Sequence, residues 1–117
     1  MLSFRREDGY TLVELITVIV ILGIIASIAV PKFIDVSSEA KASQCQANQA
    51  AIEVAAALAY ARNASNGNAV FPAWTDFTAN PSDYFATGVV PSCPAGGTYT
   101  YSQENGTVTC SIAEHHR

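Results

Sequence analysis

Residues 10–30 read YTLVELITVIVILGIIASIAV, and no other feature narrows the possible folds of this chain as much. As a helix rising ~1.5 Å per residue, the stretch is roughly 30 Å long, the thickness of a bilayer's hydrocarbon core. Its Ile and Val content would suit a strand, but ordinary strands are far shorter. In lipid, every backbone N–H and C=O must be satisfied within the segment, so a helix is the expected form. Pro31 follows directly. It has no N–H to donate and is expected to kink the helix there. Gly23 is a second weak point in the same helix.

The rest of the chain is of a different kind. Hydrophobic residues make up 50% of the 117 residues and are densest in this block, while only 14% are charged. What remains is enough for one small domain. A net charge of -4, with no basic run, offers no cationic field for nucleic acid, and no specific nucleic-acid partner is expected. No nucleophile–base pair, metal-ligand spacing or phosphate loop stands out. The chain is therefore not expected to be an enzyme or to carry a cofactor or a metal.

Glu14 is the most informative residue. A carboxylate inside an apolar membrane helix costs roughly 2.5–3.5 kcal/mol on insertion scales. A group that costly calls for a partner or a function, and the nearest cations along the chain are Arg5 and Arg6. A position close to the membrane interface would keep Glu14 hydrated, which explains its tolerance but not its presence. An ordinary secretory signal peptide is the plain alternative, with Ala26-Ser27-Ile28-Ala29 imitating its small-residue ending. The length of the apolar run and the carboxylate within it speak against that.

The segment Arg5-Arg6-Glu7-Asp8-Gly9-Tyr10-Thr11-Leu12-Val13-Glu14 resembles the leader and mature start of type IV pilins and pseudopilins. That pattern is a short charged leader, a Gly, an aromatic residue, then Thr-Leu-Val/Ile-Glu and a long apolar helix. Gly23 and Pro31 also stand where the family usually has them. The resemblance implies a leader over 1–9, a transmembrane and filament-core helix over 10–31 and a head domain over 32–117. It implies cleavage by a membrane prepilin peptidase between Gly9 and Tyr10, N-methylation of Tyr10, and pairing of Glu14 with a neighbouring subunit's terminal amine. A terminal amine is also the cation that Glu14 lacks along its own helix. In this pattern Tyr10 replaces the more usual Phe, and Glu7 and Asp8 offset the two arginines. Lys32 and Lys41 beyond the helix leave its orientation undecided by the positive-inside rule. The resemblance places the leader in the cytoplasm and the head outside.

Residues 37–62, rich in Ala, Gln and Glu, suit a helix continuing from the membrane segment as one long, Pro-kinked rod. Helical spacing puts Cys45, Ile52, Ala55, Ala56 and Ala59 on one side. Gly67 is the expected terminator. Cys45 is expected to be a small buried residue against the sheet, with an intermolecular disulfide as the alternative. Residues 69–90 read as an irregular connection anchored by Phe71, Trp74, Phe77, Tyr84 and Phe85. Asp76, Asn80 and Asp83 could offer oxygens to calcium, as in some pseudopilins, but their spacing does not match an EF-hand loop and turn chemistry accounts for them.

Residues 98–102 and 107–111 are β-rich runs around Gln103-Glu104-Asn105-Gly106, a strong hairpin signal. Cys93 and Cys110 are expected to form a disulfide. Its loop of about 17 residues would be worth ~3 kcal/mol in the chain-entropy model. Many type IV pilins are similarly closed by cysteines. His115 and His116 are expected in a solvated tail, and the sequons at Asn63 and Asn105 matter only in a host that glycosylates.

The expected fold is thus α+β: a long N-terminal helix packed on a small C-terminal antiparallel sheet. The expected function is that of a pilin, a structural subunit of a type IV pilus-like filament assembled through the N-terminal helix. Its partners would be copies of itself, the prepilin peptidase, inner-membrane assembly machinery, and membrane lipid before assembly. It would begin as an inner-membrane precursor and end in a cell-surface or periplasm-spanning filament. The alternatives are a type II secretion pseudopilin, or a single-span protein displaying a small binding domain without polymerising.

Overall fold

The computed structural model describes Gly9 and residues 11–117. Its elements are helix α1 (Leu12–Ser65), helix α2 (Trp74–Ala79) and strands β1 (Tyr99–Ser102) and β2 (Thr107–Cys110). Short 3-10 turns occupy Pro81–Asp83 and Ala113–His115. The expected α+β class is observed. The chain divides into two compact units, Met1–Ser37 and Ser38–Arg117.

In the first unit, the described residues from Leu12 onward are helical, and the helix continues through Pro31. Residues 11–36 are all exposed, Leu, Ile, Val and Phe side chains included. The stretch is long and apolar enough to cross a membrane, and none of it is buried within the chain. An apolar helix uncovered on every side is a lipid-facing or partner-facing element rather than the core of a water-soluble domain.

The second unit is built on residues 38–65 of α1. Its buried residues are Cys45, Gln49, Ile52, Ala55, Ala56 and Ala59, spaced three or four apart on one face. All five positions expected on that side are buried, and Gln49 joins them. The small alanines let the facing elements come close. A glycine cap ends α1: Gly67 has φ +88°, its N–H reaches the Ala64 carbonyl at 3.0 Å, and Asn68 N–H reaches that of Asn63 at 2.9 Å. These two bonds are the paired contacts of a Schellman motif.

Ile52, Ala55 and Ala56 pack with Phe77, Phe85 and Val108 to form the apolar core. Phe77, on α2, is fully buried, with Tyr84 and Tyr101 edge-on to it at centroid distances of 4.8 and 5.4 Å. The aromatic anchoring expected of residues 69–90 is therefore present. Asp76 is a capping residue, since its Oδ2 accepts the Ala73 N–H at 2.8 Å.

β1 and β2 pair antiparallel, with Tyr99 opposite Cys110 and Ser102 opposite Thr107. Residues 103–106 make the turn. Gly106, at φ +71°, donates its N–H to the Ser102 carbonyl at 2.8 Å. A Cβ at Gly106 would stand 2.5 Å from the Phe71 ring, so glycine is needed both for conformation and for space. Each strand is one residue shorter than the β-rich run that announced it.

Candidate functional site

Among the described residues, two sets carry chemistry, one in each unit. In the first, Thr11 precedes α1 and Glu14 lies in its first turn. Glu14 Oε2 accepts the Thr11 backbone N–H at 2.9 Å and the Thr11 hydroxyl at 3.2 Å. Thr11 Oγ1 in turn accepts the Glu14 N–H at 3.2 Å. This is a reciprocal capping box, which satisfies donors that a helix start leaves without partners. The signal was present in the sequence as Thr-x-x-Glu before an apolar run, and sequence reasoning passed over it. Gly9 is exposed and precedes the helix. Tyr10, and with it the other side of the expected cleavage, lies outside the described residues, as do residues 1–8. Gly23 and Pro31 are both within α1, and a Cβ at Gly23 would meet nothing within 4 Å.

The second set lies wholly in the head unit. Cys45 comes from α1, Cys93 from the connection before β1, Cys110 from the end of β2 and His115 from the final 3-10 turn. All four are buried, and one ligand-type atom of each lies within 4.8 Å of the others. Cys93 Sγ is 3.4 Å from His115 Nδ1. Tyr99 Oη donates toward Cys45 Sγ at 3.4 Å, and Gln49 Nε2 does so at 3.5 Å. Gln49 Nε2 also donates to the His115 carbonyl at 2.7 Å, and His116 Nε2–H donates to the Cys110 carbonyl at 2.7 Å.

Burial opposes ionisation of Cys93, but the N–H groups of Ala95 and Gly97, with Cys45 and His115, outweigh it and hold this thiol below its usual range. Burial pushes the Cys45 thiol up, beyond what Tyr99 and Gln49 can offset. Burial likewise raises the Tyr99 phenol, with the hydrogen bond to Cys45 adding to it.

Comparison with known proteins places the first set in context. Residues 4–30 match the motif described as the prokaryotic N-terminal methylation motif. The chain is 34% identical over 108 residues to the type IV narrow pilus major component PilA5 of Thermus thermophilus, covering 92% of this chain and 82% of that protein. The chain belongs to the type IV pilin family. It is also 32% identical over 109 residues to a fimbrial protein of Neisseria meningitidis, covering 92% of this chain and 56% of that one. Over 50 residues it is 42% identical to the type IV major pilin protein PilA of Myxococcus xanthus, covering 43% of this chain and 23% of its length. No solved structure matches.

This pilin is therefore a structural subunit and not an enzyme, as expected. One expectation for its head needs correcting. His115 is not in a solvated tail: it is buried, because the 3-10 turn folds it against Gln49 of α1. Cys45 is buried as expected, and its sulfur lies beside those of Cys93 and Cys110. Cys93 and Cys110 do converge, and no bond joins any two of the three sulfurs in the structure. The signal missed in the sequence was the set of four residues taken together. Only Cys110 and His115 lie close in sequence, and nothing local ties them to Cys45 or Cys93.

Proposed function

We propose that the mature pilin, cut between Gly9 and Tyr10 and N-methylated at Tyr10, is a subunit of a type IV pilus-like helical filament on the cell surface. The observation that carries this is the uncovered helix: residues 11–36 are exposed on every side and overwhelmingly apolar. In lipid that surface is at rest. Outside the membrane it must be covered, and identical helices from neighbouring subunits supply the cover. Burial of apolar surface, at about 25 cal/mol per Å², is the driving term for such bundling.

Within the bundle, Glu14 pairs with the terminal amine of Tyr10 on an adjacent subunit and sets the axial register. A carboxylate buried there without a cation would cost several kcal/mol. Gly23 and Pro31 adjust the helix where subunits crowd. The prepilin peptidase, the inner-membrane assembly machinery and membrane lipid are the earlier partners, and residues 32–117 form the outward-facing head. The names of the relatives, all pilus or fimbrial proteins, support a pilus over a secretion pseudopilus.

Imaging of sheared surface filaments, with mass-spectrometric identification of their subunit, tests the proposal. Filaments containing this chain are expected. A chain found only as a membrane monomer would instead indicate a non-polymerising, single-span display protein.

A further inference from the structure

We propose that Cys45, Cys93, Cys110 and His115 form a tetrahedral zinc site that staples the pilin head. The inference stands apart from the filament proposal and depends only on the head unit.

The donor set points to the metal. Three sulfurs and one imidazole nitrogen suit a soft-to-borderline cation, and four such ligands with no open position are the mark of a structural zinc site. With bonds of ~2.3 Å to sulfur and ~2.0 Å to nitrogen, a zinc tetrahedron holds its ligand atoms roughly 3.5–3.8 Å apart. Here all four atoms lie within 4.8 Å of one another, and Cys93 Sγ to His115 Nδ1 is already 3.4 Å. Small side-chain adjustments complete the figure.

Three features of the surroundings fit a metal. First, the ligands come from three distant parts of the chain, Cys45 on α1, Cys93 before β1, and Cys110 with His115 near the C-terminus, so the tertiary fold produces their convergence. Second, the backbone at Gly97 leaves room for the sulfurs. A Cβ there would fall 2.7 Å from Cys110 Sγ and 3.2 Å from Cys93 Sγ. Third, the outer groups are donors. Tyr99 Oη and Gln49 Nε2 both point hydrogen at Cys45 Sγ, and Gln49 also holds the His115 carbonyl. Zinc with three thiolates carries a net negative charge, and such donors offset it while fixing the ligands' orientation.

A Cys93–Cys110 disulfide is the competing use of the same atoms. It would engage two sulfurs and leave Cys45 and His115, both buried beside them, without a role. Zinc uses all four and accounts for the odd cysteine. Binding displaces the thiol protons, forms no covalent bond between sulfurs and needs no oxidant. The ion would tie α1 to β2, to the connection before β1 and to the C-terminal turn. A head with so small a core gains from such a staple.

The test uses the full chain, extracted from membranes in detergent without chelator or oxidant. Elemental analysis should find one zinc per chain. Exchange for Co²⁺ should give the intense d–d bands of tetrahedral cobalt and a sulfur-to-cobalt charge-transfer band. Cys45→Ser and His115→Ala should each lose stoichiometric zinc, while His116→Ala should keep it. Should a variant fail to fold, the cobalt spectrum of the unsubstituted chain still reports thiolate number and geometry. An octahedral, sulfur-poor spectrum overturns the proposal. So does an unreduced intact mass showing a Cys93–Cys110 disulfide, or a reduced metal-free chain that takes up no Zn²⁺ against a competing chelator. Zinc content unchanged in both Cys45→Ser and His115→Ala would overturn it as well.

Discussion

Glu14 Oε2 accepts two hydrogen bonds from Thr11, one from its backbone N–H and one from its hydroxyl. The carboxylate thus closes the start of its own helix, and this local duty must be separated from the proposed pairing with a neighbour's amine. Cleavage at Gly9 leaves the Thr11 amide intact, so the same carboxylate can cap and pair. Glu14→Gln keeps an acceptor for the cap but removes the charge, and should abolish or sharply reduce filament yield. Thr11→Ala weakens the cap, at about 0.5–2 kcal/mol of local helix stability, and should leave assembly largely intact. Immunoblots of sheared and membrane fractions read both. Normal filament yield from Glu14→Gln would reduce Glu14 to a capping residue.

The mature chain should begin at Tyr10, and Tyr10 should carry an N-methyl group. Mass spectrometry of the amino-terminal peptide checks both points. A start near Val30 would instead mark the apolar stretch as an ordinary, discarded signal peptide.

Gly106 and Gly23 should respond in opposite ways to the same substitution. Alanine at Gly106 meets the Phe71 ring and a positive φ, and should destabilise the head by roughly 1–3 kcal/mol in denaturant titrations. Alanine at Gly23 meets nothing within 4 Å and lies in a helix, so head stability should not change. Any effect of Gly23→Ala should appear in filament assembly alone.

Glu53 does two things at once. Its Oε1 accepts the Val108 N–H at 2.9 Å, and its Oε2 pairs with Arg117. The ion pair is partly exposed, so Arg117→Ala should cost only about 0–1 kcal/mol. Glu53→Ala also takes the partner from the N–H of a buried strand residue and should cost about 1–3 kcal/mol. Thermal melts of the two variants should therefore be clearly separated. Equal losses would mean that the Val108 contact contributes nothing.

Much of this protein was written in patterns that the chain repeats locally. The apolar run fixed a membrane-length helix, because only a helix satisfies its own backbone in lipid. Gly9-Tyr10 and Thr11-x-x-Glu14 marked the family. The spacing of Cys45, Ile52, Ala55, Ala56 and Ala59 marked the buried face, and Asn105-Gly106 marked the hairpin. The strand boundaries were off by a residue, because β-propensity continues past the last paired position and pairing alone ends a strand.

Only the tertiary structure decided what the remaining polar residues do. Gln49 is not among the residues that helical spacing put on the buried side, yet the C-terminal turn folds over it and takes its amide at the His115 carbonyl. His115 reads as part of a loose tail until that same contact buries it. Cys45 reads as odd until β2 and the connection before β1 bring Cys110 and Cys93 to its side. The reason is physical. Helix and hairpin signals arise between residues a few positions apart, where backbone geometry sets the period. The cysteine–histidine cluster joins three distant parts of the chain, Cys45, Cys93 and the Cys110–His115 stretch, and their meeting is fixed by how the alanine face of α1, the aromatic core and the sheet pack together.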